Sequence, residues 1–186
     1  MMTQPIIGLI TLLFMMIPPV AEIMESIMIL HMHMQMPMIV IAGFLMAPFF
    51  TKRFPNFFSK WNQTGIPGML LFIIVMSYWS IPRAMDDALT YPAVELFKFI
   101  SLAFLVGVPL RDSWKKISNR WQNGVLIFFF LQFTGLGILY IAAPGQLCNN
   151  YIQSEQVTLG WGFLTIAIAI LVYLVQLIFI NPADYE

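Results

Sequence analysis

The sequence predicts an all-α protein, a polytopic membrane helical bundle with about six transmembrane helices, and three observations predict it. Of the residues, 60% are hydrophobic and only 10% charged, against nearer half and a quarter in globular domains. So few charges cannot cover a soluble domain of this size. Runs such as Gly124–Ala143 are apolar on every face, unlike the alternating strands of a bilayer barrel. Helices satisfy their own backbone hydrogen bonds in hydrocarbon. Each crossing takes about 20 residues, so the 186 residues hold roughly six and form one membrane domain.

Proline, glycine and charge set the breaks. Span one is expected over 5–18, ended by Pro18-Pro19 and short for a full crossing. No basic stretch precedes it and no small-residue cleavage site follows, so it reads as a retained helix rather than a signal peptide. The remaining spans are expected over 23–50, 66–81, 92–110, 124–143 and 157–180. Lys52, Arg53 and Lys60 lie in the loop after span two, and Arg111, Lys115, Lys116 and Arg120 in the loop after span four. Seven of the nine basic residues thus fall in two loops on one side, which the positive-inside rule makes cytoplasmic, together with both termini. Phe49, Phe50, Phe54, Phe57, Phe58 and Trp61 around the first basic loop read as a segment lying along the interface. Tyr78, Trp79, Trp114, Trp121, Tyr140 and Trp161 read as belt residues near span ends. The pairs Gly135/Gly137 and Gly160/Gly162 read as points of close helix packing. No internal repeat stands out.

Composition excludes several functions. Nine basic and nine acidic residues balance to zero, so there is no electrostatic case for nucleic acid as a partner. The single Cys148 makes no internal disulfide, thiolate zinc site or iron–sulfur cluster. Two histidines, His31 and His33, are too few to clamp haem between helices. No nucleophile–base arrangement or phosphate loop is present, so the chain is not expected to be an enzyme. Asp86 and Asp87 are expected to be solvated in an outer loop.

Span two holds the unusual chemistry. Its polar residues are Glu22, Glu25, Ser26, His31, His33 and Gln35, interleaved with six methionines from Met24 to Met38. Polar side chains at membrane depth mark candidate sites, and thioether with imidazole suits copper, especially Cu(I). Residues two apart on an α-helix point about 200° away from each other, so His31 and His33 do not share an ion. Met24, Met28, His31, Gln35 and Met38 share one stripe, the better copper face; Glu22, Ser26, His33 and Met36 lie opposite. The stronger reading of the same stripes is core filler and helix-to-helix hydrogen bonding. Pro37 frees the carbonyl of His33 and predicts a kink. In span four, Glu95 and Lys98 are spaced for an i,i+3 ion pair, with Glu22 or Glu25 as further partners; a retinal-type Schiff base on Lys98 is the sharper alternative.

These residues carry a resemblance. Pro18–Leu45, with Pro19, His31-Met32 and Gln35-Met36 before an apolar run, resembles the His-Met-x-Gln-His-Met signature of the CtaG-type membrane proteins. Trp79-Ser80-Ile81-Pro82, then Asp86, Ala88-Leu89 and Pro92-Ala93-Val94, is similar to that family's Trp-His-x-Pro segment and following His-x-x-x-His helix. The resemblance covers about the first 115 residues. It implies a membrane factor of cytochrome c oxidase assembly concerned with copper insertion. His31 keeps one family histidine, whereas Gln35, Ser80, Glu95 and Phe99 replace four others. The resemblance therefore implies a non-catalytic accessory or assembly subunit of a copper-dependent respiratory complex, in the plasma or inner membrane of a prokaryote. An active copper chaperone using His31 with Met28, Met24 or Met38 is the first alternative, and a small transporter or channel the second.

Overall fold

A computed structural model describes residues 3–179 of the chain. They are mostly helical, with no strand among the described residues. The helices are α1 (Thr3–Met15), α2 (Pro18–Glu25), α3 (Met28–Arg53), α4 (Pro55–Trp61), α5 (Ile66–Trp79), α6 (Pro82–Thr90), α7 (Pro92–Trp114), α8 (Asn119–Ala142) and α9 (Gln153–Phe179). Four of them, α3, α7, α8 and α9, are long and apolar enough to cross a membrane. The count reaches six if the bent pairs α1/α2 and α5/α6, turned by 73° and 72°, each make one span. The chain is thus a helical membrane bundle. The expectation for both termini, and the last residue of the sixth expected span, lie outside the described residues.

Proline at the first turn starts α2, α4, α5, α6 and α7, where its missing N–H costs nothing. Expected span two begins five residues late: the chain breaks at Ser26-Ile27, with Ile27 extended. Glu22, Met24 and Glu25 therefore belong to α2 and not to the helix that carries His31. Just before Pro37, where a kink is expected, the helix widens into a π-helical turn over His31–Gln35, in which the Met36 N–H reaches the His31 carbonyl. Pro109 follows a second π turn, Ser101–Gly107, where the Val108 N–H reaches the Ala103 carbonyl. A proline ring collides with the carbonyl four residues back, and a wider turn just before it relieves that clash while the helix continues.

The first two-thirds of the chain repeats one order of helices: a helix bent sharply onto a shorter one, then a long span. Shifting the numbering by 64 aligns the ends of α1 and α5 (Met15 with Trp79), the starts of α2 and α6 (Pro18 with Pro82), and the starts of α3 and α7 (Met28 with Pro92). Ile17-Pro18 matches Ile81-Pro82, and Gly43 matches Gly107. Little else is identical, which is why no repeat is legible in the sequence. The two glycines meet where α3 and α7 cross. A Cβ on Gly43 would lie 1.8 Å from the Ala103 carbonyl oxygen, and one on Gly107 would lie 2.2 Å from the Val40 carbonyl oxygen. Small residues at such a crossing let backbones approach closely.

Helices α8 and α9 pair with each other, Gly137 against Gly160; Gly162 instead faces His33, and Gly135 faces open space. The two basic loops lie at the same end of the bundle. Asn62 Nδ2 donates to Asp112 Oδ2 at 2.6 Å and to Ser113 Oγ at 2.9 Å, and Lys116 Nζ donates to the Asn62 carbonyl. Gln4 accepts from Arg111, so α1 starts at this end too. Helix α4 presents Phe57 and Trp61 outward, as an interfacial segment should. Trp79 and Tyr140 are not belt residues: both are fully buried in the core.

Candidate functional site

The polar residues at the other end of α3 and α7 form a closed knot. Lys98 is fully buried on α7. Its ammonium donates to Glu25 Oε1 at 2.5 Å, to Gln35 Oε1 at 3.2 Å, and to His31 Nε2 at 3.2 Å. An ammonium has three N–H groups, and all three are used. Gln35 Nε2 donates back to Glu25 Oε1 at 3.0 Å. The Tyr151 hydroxyl donates to the Glu25 carbonyl at 2.8 Å, so its oxygen receives the Nδ1–H of His31 at 2.9 Å. That assignment, made from the hydrogen-bond network, leaves His31 as the neutral Nδ1–H tautomer with Nε2 accepting from Lys98. Burial, and after it the Glu25 charge, raises the phenol of Tyr151 above its ordinary value, keeping it a donor. Trp79 Nε1 donates to Ser101 Oγ at 2.8 Å beside this group.

Two features of the backbone set the knot's geometry: the turn that carries His31 and Gln35, and the break before it. His31 and Gln35, four residues apart on α3, are buried together, and the break at Ser26-Ile27 folds α2 back so that Glu25 reaches both Gln35 and Lys98. Lys98 pairs with Glu25, not with Glu95 as the i,i+3 spacing predicts; Glu95 has no ion-pair partner among the described residues. Met28 is fully buried in the apolar core, and Met38 packs partly buried against it. His33 points instead toward α9, its ring edge-on to Phe163 at 4.8 Å, and its Nε2 has no partner among the described residues. Of the positions where the family resemblance places histidines, Gln35 joins the knot. Ser80 Oγ is spent on the Met76 carbonyl, Glu95 is only partly buried and Phe99 is core.

This donor set does not fit copper as it stands. Both nitrogens of His31 and both polar atoms of Gln35 are already engaged. No group of three or more His, Cys, Asp or Glu side chains placed to hold a metal occurs among the described residues. A Schiff base on Lys98 would keep at most one of its three hydrogen bonds, at full burial.

Tyr151, the member that sequence reasoning missed, stands 120 residues from His31; no spacing rule connects them. Asp86 delivers it. Rather than being solvated, Asp86 is only 4% exposed. Its carboxylate receives the backbone and side-chain N–H groups of Asn149 and Asn150 at 2.7–3.2 Å. The clamp fixes the loop between α8 and α9 and sets Tyr151 over His31. Cys148 is trapped under the same loop, and burial, followed by the Asp86 charge, pushes its thiol from 9.0 up to about 12. The folded thiol therefore stays protonated where an unfolded one ionises. Its contribution to stability is complete below pH 9 and lost as pH climbs toward 12. Asp86→Ala leaves four N–H groups without their acceptor. We expect alkylation of Cys148 near neutral pH to quicken by about tenfold or more, the equivalent of about 1.4 kcal/mol of lost local anchoring. Equal rates in the two proteins would show that the clamp does not hold the loop.

Compared with known proteins, the chain matches no family model, no curated protein and no solved structure.

Proposed function

We propose that the chain is a non-catalytic accessory or assembly subunit lodged in the membrane beside a copper-dependent respiratory complex of the haem–copper oxidase type. The observation that carries this reading is the knot itself: Lys98, Glu25, His31, Gln35 and Tyr151 hydrogen-bond to one another and tie α2, α3, α7 and the loop before α9 together. Such a knot holds helices in register rather than turning over a substrate. The remainder of the chain offers surfaces. Helices α8 and α9 expose Phe128, Leu131, Ile138, Ile168 and Val172, and helices apolar all round face lipid or other membrane subunits. The oxidase as neighbour is supported by the CtaG-type resemblance in Pro18–Leu45 and from Trp79 to Trp114. By the positive-inside rule the end carrying the two basic loops faces the cytoplasm.

Gentle solubilisation and affinity capture test the reading. Oxidase subunits are expected to co-purify with the tagged chain; a lone monomer under conditions that keep the oxidase intact would overturn it. Copper content separates it from the chaperone alternative. The purified chain is expected to hold no stoichiometric copper, and His31→Ala to change nothing. Copper that His31→Ala removes would instead favour a copper carrier. The two bent helix pairs are the feature a transporter reading would use. Both bends, however, lie at the end away from the basic loops, so the units repeat in parallel, and the buried charges are bound to each other.

A further inference from the structure

The two repeated units differ in what covers them. In the second, Met69, Leu70 and Ile73 on α5 face α8, with Trp121, Val125 and Phe128 closing over them around a residual space of about 210 Å³. Shifted by 64, the same face in the first unit is Pro5, Ile6 and Leu9 of α1, and no helix of the described chain covers it. These residues, with Met46, Phe49 and Phe50 of α3 and Phe104 of α7, line an open groove of about 570 Å³. Its cytoplasm-side rim carries Lys52 and Arg53. Both are exposed, and neither has an ion-pair partner among the described residues.

We propose that this groove binds one anionic phospholipid, its phosphate between Lys52 and Arg53 and the upper part of an acyl chain along Leu9, Met46 and Phe49. Charge selects the headgroup. Seven cations (Lys52, Arg53, Lys60, Arg111, Lys115, Lys116 and Arg120) gather at this end of the bundle. Asp112 is the one acidic residue of its loops among the described residues, and it is taken by Lys116. Juxtamembrane lysines and arginines attract anionic lipid. Shape selects a chain rather than a helix. From Met46 to Arg53 the groove follows α3 for only about 10 Å at 1.5 Å per residue, roughly a third of the hydrocarbon thickness. Its lining is bulky (Phe, Met, Leu and Pro), whereas sites for a neighbouring helix favour small residues. Its volume falls in the range of small-ligand sites. Arg53 also lies over the Phe54 ring at 5.8 Å, and the interfacial α4 that follows carries Lys60 and Trp61 at the same level.

Native mass spectrometry of the full chain, released from micelles holding equal phosphatidylglycerol and phosphatidylcholine, tests this. One phosphatidylglycerol per chain is expected to be retained, and K52A/R53A to lower the preference over phosphatidylcholine by about thirtyfold. K115A/R120A removes equal charge from the same end without touching the groove and is expected to leave the preference intact. Leu9→Trp keeps both cations but fills the groove, and is expected to abolish retention. The proposal is overturned if K115A/R120A acts as strongly as K52A/R53A, which would mean diffuse surface charge, or if Leu9→Trp retains lipid like the wild type. It is also overturned if inorganic phosphate at millimolar concentration displaces the lipid, or if Leu9→Cys cross-links to a helix of another chain.

Discussion

Lys98→Met is expected to destabilise the folded protein by about 3–5 kcal/mol, the range for stripping one partner from a buried ion pair. The variant loses the ammonium that serves Glu25, Gln35 and His31 at once. The Glu25 carboxylate is left with the Gln35 amide as its only side-chain partner among the described residues, and its side chain is 13% exposed. Desolvated charge without a counter-ion is the main cost; the loss of methylene packing is small, because methionine replaces the lysine stem. Lys98→Met with Glu25→Gln should recover a large part of the loss, since no net charge then stays buried. Reversible unfolding in mixed micelles measures both. If the single variant came within about 1 kcal/mol of wild type, the knot would be an ornament of the fold and not its clasp.

Gly43→Ala is the second large effect. An added methyl would have to sit 1.8 Å from the carbonyl oxygen of Ala103, and the obstacle is backbone, which has no rotamer to yield. Helices α3 and α7 must separate, carrying the Lys98 ammonium away from its three acceptors. Overpacking costs up to about 3 kcal/mol when neighbours adjust; here we expect about that or more, seen as loss of the monodisperse folded peak and a lowered unfolding midpoint. Gly124→Ala is the matched control. Nothing lies within 4 Å of its Cβ, and an exposed helical glycine gains about 1 kcal/mol on becoming alanine. Opposite signs for the two substitutions would locate the strain at the α3–α7 crossing.

The two expectations act on the same contact from its two ends. The glycines set the distance between α3 and α7, and the knot sets their register. Gly43 and Gly107 correspond at the 64-residue shift, and each lies against the backbone of the other's helix at the crossing. Asymmetry enters through side chains. At the 64-residue shift Glu22 corresponds to Asp86. Asp86 became the clamp on the outer loop, whereas in the first unit the charge that reaches the seam is Glu25, one turn further along α2.

Residue order alone determined that this chain is a helical membrane bundle, that its spans lie close to where proline and charge break the apolar runs, and that seven cations gather at one end. These are local properties: a residue's transfer between water and hydrocarbon depends on its own side chain and a window of neighbours. His31, Gln35, Glu25 and Lys98 were also legible as polar groups out of place in hydrocarbon. Only the tertiary structure decided who pairs with whom. Glu25 was taken by Lys98 because α2 folds back at Ser26-Ile27, and Asp86 went into the core because Asn149 and Asn150 came to it. Tyr151 reached His31 across 120 residues because a loop was clamped. Hydrogen bonds are satisfied at about 3 Å, and which groups come that close is set by the packing of whole helices, a sum over contacts that no single stretch of sequence contains.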